Sequence, residues 1–460
     1  MTATVAATAA PLKSRMLRAA GWLAGGTAAS QVLRLASNLV LTRLLVPEAF
    51  GLIAAVNTLY LVLVLFSDLG VWQSVVKSDR GEDPRFLGTA WSVQLVRGAA
   101  LALIVLALAA GLHLGAAAGA FADGTVYADH RLPPMMATLA LCALLQGAES
   151  MQLALAQREL RGGLVARLEL GSQAVAAAAT IALAFATHSV WALVAGTIVS
   201  ALARTLASHL WLPGRAPRPC WDRGCAREIV GFGRWIFVSS ILGCLAANGE
   251  RILLAGAFDA ASFGVFAIAG ALLGAVASVY GTINGHVIFP SQSHTLRTDR
   301  AQLSRVYVRV QQIADLFLGG VAGTLLVAGP WVVRLLYDER YHAAGWMLQC
   351  LGLSLLAMRH QVVEQLMFAR GQPGWVSANN ALRTLGLLVF VPGGLALAGQ
   401  AGAIAGVVLS QFASWPLSLW FKRRQGLLAW STECWWLPAF VGGMATGWLC
   451  DRLLALQLPH

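Results

Sequence analysis

The sequence predicts an all-α integral membrane protein with about 13 spans, arranged as two parallel six-helix bundles and one extra C-terminal transmembrane helix. Three observations predict this fold: the composition, the lengths of the apolar segments and a repeated turn. The chain of 460 residues is 58% hydrophobic and only 12% charged, whereas a soluble domain carries about 25% charged residues. Lipid must therefore be the solvent for most of its surface.

Apolar segments long enough to cross a bilayer recur along the chain. A bilayer core requires about 20 mostly apolar residues in a helix. These segments show no period-two alternation, which argues against membrane strands. The thirteen predicted spans are 21–43, 50–76, 87–112, 133–157, 164–187, 189–212, 231–257, 262–290, 306–336, 343–369, 375–398, 401–421 and 435–454.

The predicted spans divide the chain into five parts. A cytoplasmic N-terminal tail (1–20) is followed by a first six-helix bundle (21–212) and a cytoplasmic linker (213–230). A second six-helix bundle (231–421) is followed by a last segment (422–460) with a cytoplasmic loop and the extra helix. The basic N-terminus is not typical of a signal peptide, because the apolar stretch after it is too long and offers no good cleavage site.

The basic residues lie mostly on one side of the predicted membrane. With the N-terminus in the cytoplasm, 22 of the 33 Lys and Arg fall in the tail, the cytoplasmic loops and the span ends beside these loops. The opposite side receives only Arg43, Arg131, Arg340 and Arg452. This asymmetry is the positive-inside pattern. Topology thus accounts for most of the net charge of +12, and no nucleic-acid partner is needed to explain it.

A turn between spans 1 and 2 recurs between spans 7 and 8. Phe50-Gly51 and Phe263-Gly264 lie 213 residues apart, and both follow a short extracytoplasmic turn. Two units of this length hold six spans each and leave a final stretch that matches the thirteenth span. An even number of spans gives both units the same orientation, so the repeats are predicted to be parallel. Chance recurrence of Phe-Gly after a turn remains the alternative.

The residues around this turn resemble Wzx-type oligosaccharide flippases, the polysaccharide exporters of the MOP (MATE-like) superfamily. The matching residues are Arg43, Leu45, Pro47, Glu48, Phe50, Gly51 and Leu52, with Asp68 and Gly70 near the end of the second span. Further stretches of similar character are FLGTAWSVQLVRG (86–98), ALAQREL (154–160), SVWALVAGTIVSALARTLASHLWLPG (189–214) and LYDERYHAAGWMLQ (336–349). In span 7 the family commonly has an Asp where this chain has Glu250.

The resemblance implies a carrier of the bacterial inner membrane with a cytoplasmic N-terminus. It implies translocation of a lipid-linked oligosaccharide, commonly on undecaprenyl pyrophosphate, through a V-shaped and often cationic cavity between the bundles. The partners that it implies are this lipid-linked oligosaccharide, membrane lipids, and the polysaccharide polymerase and export machinery. No cofactor or metal is expected.

Ionisable residues inside the spans are the candidates for function, because each costs free energy at the bilayer centre. Arginine suits a pyrophosphate, since its planar fork binds oxygens in pairs and keeps its charge. Arg34, with Asn38 four residues on, is the first candidate for the cavity; a polar helix–helix contact is the alternative. Glu250, Arg251 and Arg383 are further cavity candidates; an intrahelical pair or snorkelling to the interface are their alternatives.

Four other residues are candidates for a gate or for ion coupling. Asp68 and Arg97 lie at similar depth in adjacent spans, where they predict a structural salt bridge or a gate. Glu149 and Glu364 are candidates to bind a coupling proton or cation.

Other functions fit the sequence less well. An ion-coupled MATE-type drug exporter should carry excess carboxylates, but the spans hold more Arg than acids. A flippase for a lipid II-type precursor remains a second alternative. An enzyme is disfavoured, since the longest loops (113–132 and 213–230) hold no acid–base constellation and the chain has no Walker A motif. A membrane scaffold is disfavoured by the buried charges.

Overall fold

The computed structural model describes residues 12–159, 161–212, 218–298 and 302–457, and within them all regular structure is helical. The α-helices are α1 (Leu12–Leu44), α2 (Pro47–Phe66), α3 (Val71–Lys77), α4 (Pro84–Ala117), α5 (Leu132–Thr138), α6 (Ala140–Gly147), α7 (Gln152–Arg158), α8 (Gly162–Thr187), α9 (Trp191–Leu210), α10 (Arg223–Ala255), α11 (Ala260–Ile283), α12 (Phe289–Thr298), α13 (Leu303–Leu336), α14 (Ala344–Gly352), α15 (Leu355–Met358), α16 (Gln361–Ala369), α17 (Pro373–Phe412), α18 (Trp415–Arg424), α19 (Trp430–Glu433) and α20 (Trp436–Gln457). We call α1–α9 the first half and α10–α20 the second half.

Every predicted span coincides with one or more of these helices, but several are broken. Span 2 is α2 and α3 with a break between them, and span 4 is divided among α5, α6 and α7. Span 8 continues from α11 through a π-helical turn (Asn284–Ile288) into α12. Within the described residues, seven helices are long and apolar enough to cross a membrane, or eight if the bent pair in span 4 is one span. The multi-pass membrane fold is thus confirmed, whereas the count of thirteen spans is not.

Helix starts outside the apolar segments follow local capping chemistry. Asp83, Asp222 and Asp259 precede α4, α10 and α11, and each carboxylate accepts a hydrogen bond from a backbone N–H of the first turn, at 3.0, 2.8 and 2.6 Å. Such a cap satisfies a donor that has no partner within the helix. Pro47 begins α2 with Glu48 in the first turn, where proline loses no hydrogen bond and the carboxylate faces the positive end of the helix dipole.

The two halves approach most closely at the repeated turns. A Cβ atom added to Gly51 of α2 would lie 1.9 Å from the Ala260 carbonyl oxygen and 2.9 Å from the Gly264 amide nitrogen. A Cβ atom on Gly264 of α11 would likewise lie 1.9 Å from the Pro47 carbonyl oxygen. Glycine is therefore required at both positions for the backbones to meet. We call this end of the molecule the Pro47 end.

Hydrogen bonds between the halves reinforce the contact at the Pro47 end. The Tyr341 hydroxyl, which is fully buried, donates to the Leu45 carbonyl at 2.8 Å. The Tyr127 hydroxyl donates to the Ile252 carbonyl at 3.0 Å. The largest cluster of buried apolar side chains also lies here and draws on both halves. A continuous apolar core therefore joins the halves at this end.

At the opposite end, the start of the second half is bound to the first half. Asp222 donates from its backbone N–H to the Thr89 hydroxyl at 3.2 Å, and the buried Cys225 and Ile229 pack into an apolar cluster with residues of α3 and α4. Glu228 accepts a hydrogen bond from Ser78 at 2.8 Å. We call this the Lys77 end.

The C-terminal helix α20 packs along α13 through small residues. A Cβ atom added to Gly323 would lie 2.1 Å from the Phe440 carbonyl oxygen, and one on Gly443 would lie 2.1 Å from the Gly320 carbonyl oxygen. Thr324 donates to the Gly443 carbonyl at 3.1 Å. Close packing of small residues is the usual way in which helices associate in lipid, so the extra helix belongs to the second half.

Candidate functional site

A cavity extends from the interface between the two halves into the second half, and α10 and α11 form the wall that its two parts share. It consists of two adjoining voids of about 520 and 410 Å³. The voids have five lining residues in common: Arg251, Phe266, Ala267, Gly270 and Gly274. The smaller void is closed on its other side by α1 and α2 of the first half, and the larger by α14–α17 of the second half. We call the two voids together the central cavity.

All five residues that the sequence proposed for the cavity line the central cavity. Arg34 and Asn38 line the smaller void, Glu250 and Arg383 line the larger, and Arg251 lines both. Their spacing explains part of this arrangement, because residues four apart on one helix share a face. Residues on α1, α10 and α17 are nevertheless far apart in the chain, and only the packing of the helices brings them together.

Arg34 is positioned by a polar chain that crosses between the halves. Its guanidinium donates to the Gln31 side-chain oxygen at 2.5 Å. The Gln31 amide in turn donates to the Ser278 hydroxyl of α11 at 2.6 Å. Both contacts are to neutral groups, so the positive charge of Arg34 is not neutralised by a carboxylate within the described residues.

Glu250 and Arg251 are neighbours in α10 but do not form an ion pair with each other. Adjacent residues of a helix point in different directions, which explains why the intrahelical pair considered from the sequence is absent. In the described part of the chain, Arg251 has no carboxylate within 4.0 Å. Arg34 and Arg251 are therefore two cavity arginines whose charges remain available.

Arg383 of α17 is the third arginine of the central cavity, and it is already paired. Its Nη2 lies 2.8 Å from the Glu364 carboxylate of α16, and its Nε donates to the Ser414 hydroxyl at 3.0 Å. The same Glu364 oxygen accepts a hydrogen bond from Asn379 at 3.3 Å. Arg383 and Glu364, which the sequence treated as separate candidates, thus form one unit. Among the described residues, the charges that line the central cavity are three arginines and one glutamate.

A second cavity of about 410 Å³ lies within the first half. It is lined by Val64, Asp68, Val71, Trp72, Gln94, Arg97, Cys142, Gln146, Glu149, Thr197, Ser200, Ala201 and Arg204. We call it the N-terminal cavity. Three of the four residues proposed as gate or coupling groups lie here: Asp68, Arg97 and Glu149.

Asp68 and Arg97 do not form the predicted salt bridge, although both line the N-terminal cavity. Asp68 accepts a hydrogen bond from the Gly70 amide at 2.9 Å, in the break before α3. Arg97 instead donates to the Ser67 hydroxyl at 3.2 Å and to the Val64 carbonyl at 3.0 Å. The break after α2 explains this correction, because it leaves carbonyl groups at a helix C-terminus that require donors and attract a cation.

Glu149 pairs with an arginine that the sequence analysis did not assign to any site. Arg204 of α9 donates to the Glu149 carboxylate, and its Nη1 also lies 3.0 Å from the Glu169 carboxylate of α8. Glu149 stands in the break between α6 and α7. The pairing was not visible in the sequence because 55 residues separate Glu149 from Arg204.

A buried ionic network in the second half was also missed. Arg359 binds the Asp315 carboxylate through two nitrogens, at 2.7 and 2.8 Å, and lies 3.2 Å from Glu433. Lys422 lies 2.7 Å from the other Glu433 oxygen. The sequence placed Lys422 in an exposed cytoplasmic loop, but its side chain is 0% exposed. This correction arises because α18 continues past the predicted end of span 12 at residue 421, to Arg424, and because Glu433 of α19, a helix that was not predicted, lies against Lys422.

Comparison with known proteins gives a family and a fold. The family model described as "Polysaccharide biosynthesis protein" matches residues 40–345, about two thirds of the chain. No match is found among curated proteins.

Among solved structures, an inward-facing multidrug resistance MATE family transporter of the MOP superfamily is 15% identical, with a TM-score of 0.69 over 86% of this chain and 95% of that one. The lipid II flippase MurJ in an inward closed conformation is 10% identical, with a TM-score of 0.63 over 95% of this chain and 99% of that one. A MOP superfamily transporter from Pyrococcus furiosus Vc1, described as having a binding pocket of reverse polarity, is 15% identical, with a TM-score of 0.52 over 89% of this chain and 95% of that one. At these identities, the likenesses show the fold, and they confirm the MOP fold expected from the sequence.

Proposed function

The chain belongs to the family of polysaccharide biosynthesis proteins, and from this premise we propose that it is a flippase for a lipid-linked oligosaccharide. In this proposal it moves the repeat unit, carried on undecaprenyl pyrophosphate or a similar lipid diphosphate, across the bacterial inner membrane by alternating access. The polymerase and export machinery would take up the unit on the outer side. Family membership supports the polysaccharide pathway, and the MOP fold supports a carrier.

The observation that carries the proposal is the pair of unneutralised arginines in the central cavity. Arg34 comes from the first half and Arg251 from the second, and both line the same void. A diphosphate cannot enter hydrocarbon unless other partners replace its water. Two guanidinium groups can bind its oxygens in pairs, and they remain charged throughout the cycle. We propose that they hold the headgroup while the lipid chain stays in the bilayer.

Asn38 and Arg383 support the same site from either side. Asn38 lines the void with Arg34 and offers an amide to an uncharged oxygen of the ligand. Arg383 lies across the cavity, and its pairing with Glu364 makes it a less available cation than Arg34. Glu250 is the single carboxylate that the described residues contribute to the lining. We propose that it limits how strongly the cavity holds an anion, so that the ligand is released.

The contacts between the halves support an inward-facing state. Gly51, Gly264, Tyr127 and Tyr341 all join the halves at the Pro47 end, which is the extracytoplasmic end in the topology proposed from the basic loops. We propose that this structure is the state that receives the ligand from the cytoplasm. Opening of the Pro47 end would then release it on the other side.

A MATE-type drug exporter is the second candidate, because the fold alone allows it. A cationic drug would require carboxylates, but the central cavity is lined by three arginines and one glutamate. A flippase for a lipid II-type precursor requires the same headgroup site as the proposed function. The family match favours a polysaccharide substrate over that precursor.

Deletion of the gene in its host tests the proposed function. We expect loss of the polymer together with accumulation of undecaprenyl-linked repeat units on the cytoplasmic face. Wild-type protein and the variant Arg131→Ala, which alters a loop arginine outside the cavity, should restore export, whereas Arg34→Ala and Arg251→Ala should not. Normal polymer together with a new drug sensitivity would overturn the proposal.

A further inference from the structure

The N-terminal cavity is a separate chamber that shares one helix wall with the central cavity. No described residue lines both cavities. On α2, Asn57 and Leu61 line the central cavity, whereas Val64 lines the N-terminal cavity. Asn57 and Val64 are about 10 Å apart along the helix at 1.5 Å per residue. The two chambers therefore lie within about 10 Å of each other along α2.

The charges of the N-terminal cavity are balanced, unlike those of the central cavity. Its lining holds two acids and two arginines, and one acid and one arginine, Glu149 and Arg204, already form an ion pair. Asp68 and Arg97 remain, one charge of each sign. Such a lining favours neither a phosphate nor a cationic drug. It suits a ligand that is polar and uncharged.

Several polar side chains of this lining are fixed by one or two hydrogen bonds and keep a further group without a partner in the described residues. Arg97 uses Nε and Nη2 for Ser67 and Val64, which leaves Nη1. Asp68 uses one carboxylate oxygen for Gly70, which leaves the other. Gln94 uses its amide nitrogen for the Gln146 carbonyl at 2.8 Å, which leaves its oxygen. These groups can bind a ligand without first losing conformational freedom.

The chamber also offers neutral polar groups and an aromatic face. Gln146 and Ser200 line it, and neither side chain has a hydrogen-bond partner within the described part of the chain. Trp72 lines it too, and its ring is held in place because its Nε1 donates to the Gln157 side chain. A sugar ring carries hydroxyl groups around its edge and apolar C–H groups on its faces. Charged and neutral hydrogen-bonding groups can bind the hydroxyls, and the indole can pack against the apolar face of the ring.

We propose that the N-terminal cavity is a carbohydrate subsite that binds uncharged sugar units of the translocated molecule. This inference rests on the proposed function, in which Arg34 and Arg251 hold the diphosphate. The central cavity would then recognise the diphosphate group, which all lipid diphosphates share. The N-terminal cavity would distinguish one glycan from another, through Asp68, Arg97, Gln94 and Gln146.

Protection of an introduced cysteine tests the occupancy of the chamber. Ser200→Cys reports on the N-terminal cavity and Asn57→Cys on the central cavity, each in the full chain with the seven native cysteines replaced by alanine. The proteins are labelled with a small maleimide in nanodiscs. The probes are undecaprenyl diphosphate and the undecaprenyl-diphosphate oligosaccharides extracted from the deletion strain.

We expect only the sugar-bearing lipid to slow labelling of Ser200→Cys, by about tenfold when the lipid is present at ten times its Kd. We expect both lipids to slow labelling of Asn57→Cys. Equal protection of Ser200→Cys by both lipids, or protection of Asn57→Cys alone, would overturn the carbohydrate subsite and leave the proposed function standing. Protection of neither cysteine by either lipid would overturn the proposed function as well.

A binding measurement in the chain with its native cysteines does not depend on the replacement of these cysteines by alanine. Gln146→Leu keeps the side-chain volume nearly constant and removes the amide. We expect its affinity for the sugar-bearing lipid to fall at least fivefold, the equivalent of about 1 kcal/mol for one hydrogen bond, with no change for undecaprenyl diphosphate. An equal loss for both lipids, or no loss for either, would contradict the subsite.

Discussion

Gly51 and Gly264, the glycines of the two similar turns, meet each other across the interface between the halves. A Cβ atom on either would lie 2.9 Å from the amide nitrogen of the other. The two residues are 213 positions apart in the sequence, and the two similar turns to which they belong contact each other in the structure. The turn that identified the repeat is thus also the place where the halves join. Its role is to permit this approach, and it lies at the end of the molecule opposite Lys77.

Substitution of either glycine should weaken the contact between the halves. Gly51→Ala and Gly264→Ala each place a methyl group 1.9 Å from a backbone carbonyl oxygen, so the helices must move apart. Overpacking of this kind costs about 1–3 kcal/mol. We expect a lower thermal unfolding temperature in detergent for both variants.

Gly281→Ala on α11 is the matched control, because a Cβ atom there meets nothing within 4 Å. It should keep the unfolding temperature of the wild type. Equal temperatures for Gly281→Ala and Gly264→Ala would show that the halves do not pack as described.

The tyrosine at the interface should influence which end of the carrier is open. Tyr341→Phe removes the hydrogen bond to the Leu45 carbonyl at the Pro47 end, which costs about 1 kcal/mol. The equilibrium should move about fivefold toward the state that is open at this end. Spin labels at Glu82 and Arg305, two exposed positions near the Lys77 end, should report shorter distances for a larger share of molecules.

Tyr337→Phe is the control for this shift, since the Tyr337 hydroxyl is buried nearby and has no partner within the described residues. Its distance distribution should match that of the wild type. If Tyr341→Phe also matches the wild type, its hydroxyl does not hold the Pro47 end closed.

Loss of one member of the buried ionic network should be among the most damaging changes outside the cavity. Arg359→Met leaves the Asp315 and Glu433 carboxylates without their guanidinium partner, at positions that are 0% and 6% exposed. Breaking a buried pair in this way costs about 3–5 kcal/mol. The free energy of unfolding in mixed micelles measures the effect.

The double variant Asp315→Asn with Arg359→Met should cost less than the sum of the single changes, because the two groups interact directly. Arg161→Ala, which removes an exposed pair with Glu159, should change stability little. Additive costs for Asp315 and Arg359 would exclude the coupling that the structure shows.

The cap of α10 should respond to acid. The backbone N–H of Cys225 donates to Asp222 and holds the pKa of this carboxyl below its usual range. A lowered folded-state pKa stabilises the fold above the unfolded pKa of about 3.9, and the contribution is lost as the pH falls through the lower folded value. Asp222→Ala should therefore unfold at a lower temperature than the wild type at pH 7, and the difference should disappear in strong acid. A difference that persists unchanged in acid would exclude the charged cap.

The positions of the helices could be predicted from the sequence because lipid imposes a long apolar segment on each span. The breaks within spans could not. Span 4 bends by 59° between α6 and α7, although no proline stands at the break and the apolar pattern continues through it. The interruption of α2 before α3 is set by Gly70, whose φ is +60°, but a single glycine does not predict a break.

The types of residue in the cavities could be predicted, and their partners could not. The cost of burying a charge drew attention to Arg34, Arg251 and Arg383. Similar depth suggested that Asp68 pairs with Arg97, but depth does not fix the direction of a side chain, and Arg97 binds helix-end carbonyls instead. Roles in gating or ion coupling for Asp68, Arg97, Glu149 and Glu364 remain predictions.

Binding of undecaprenyl diphosphate to the purified protein in nanodiscs tests the central claim most directly. The wild type, the double variant Arg34→Ala/Arg251→Ala and the control Arg131→Ala are compared at fixed ionic strength. Hydrogen bonds to charged groups are worth about 1.5–3 kcal/mol each, so the double variant should bind at least about tenfold more weakly, while the control keeps the wild-type Kd. An unchanged Kd in the double variant would contradict the assignment of Arg34 and Arg251 as the headgroup site.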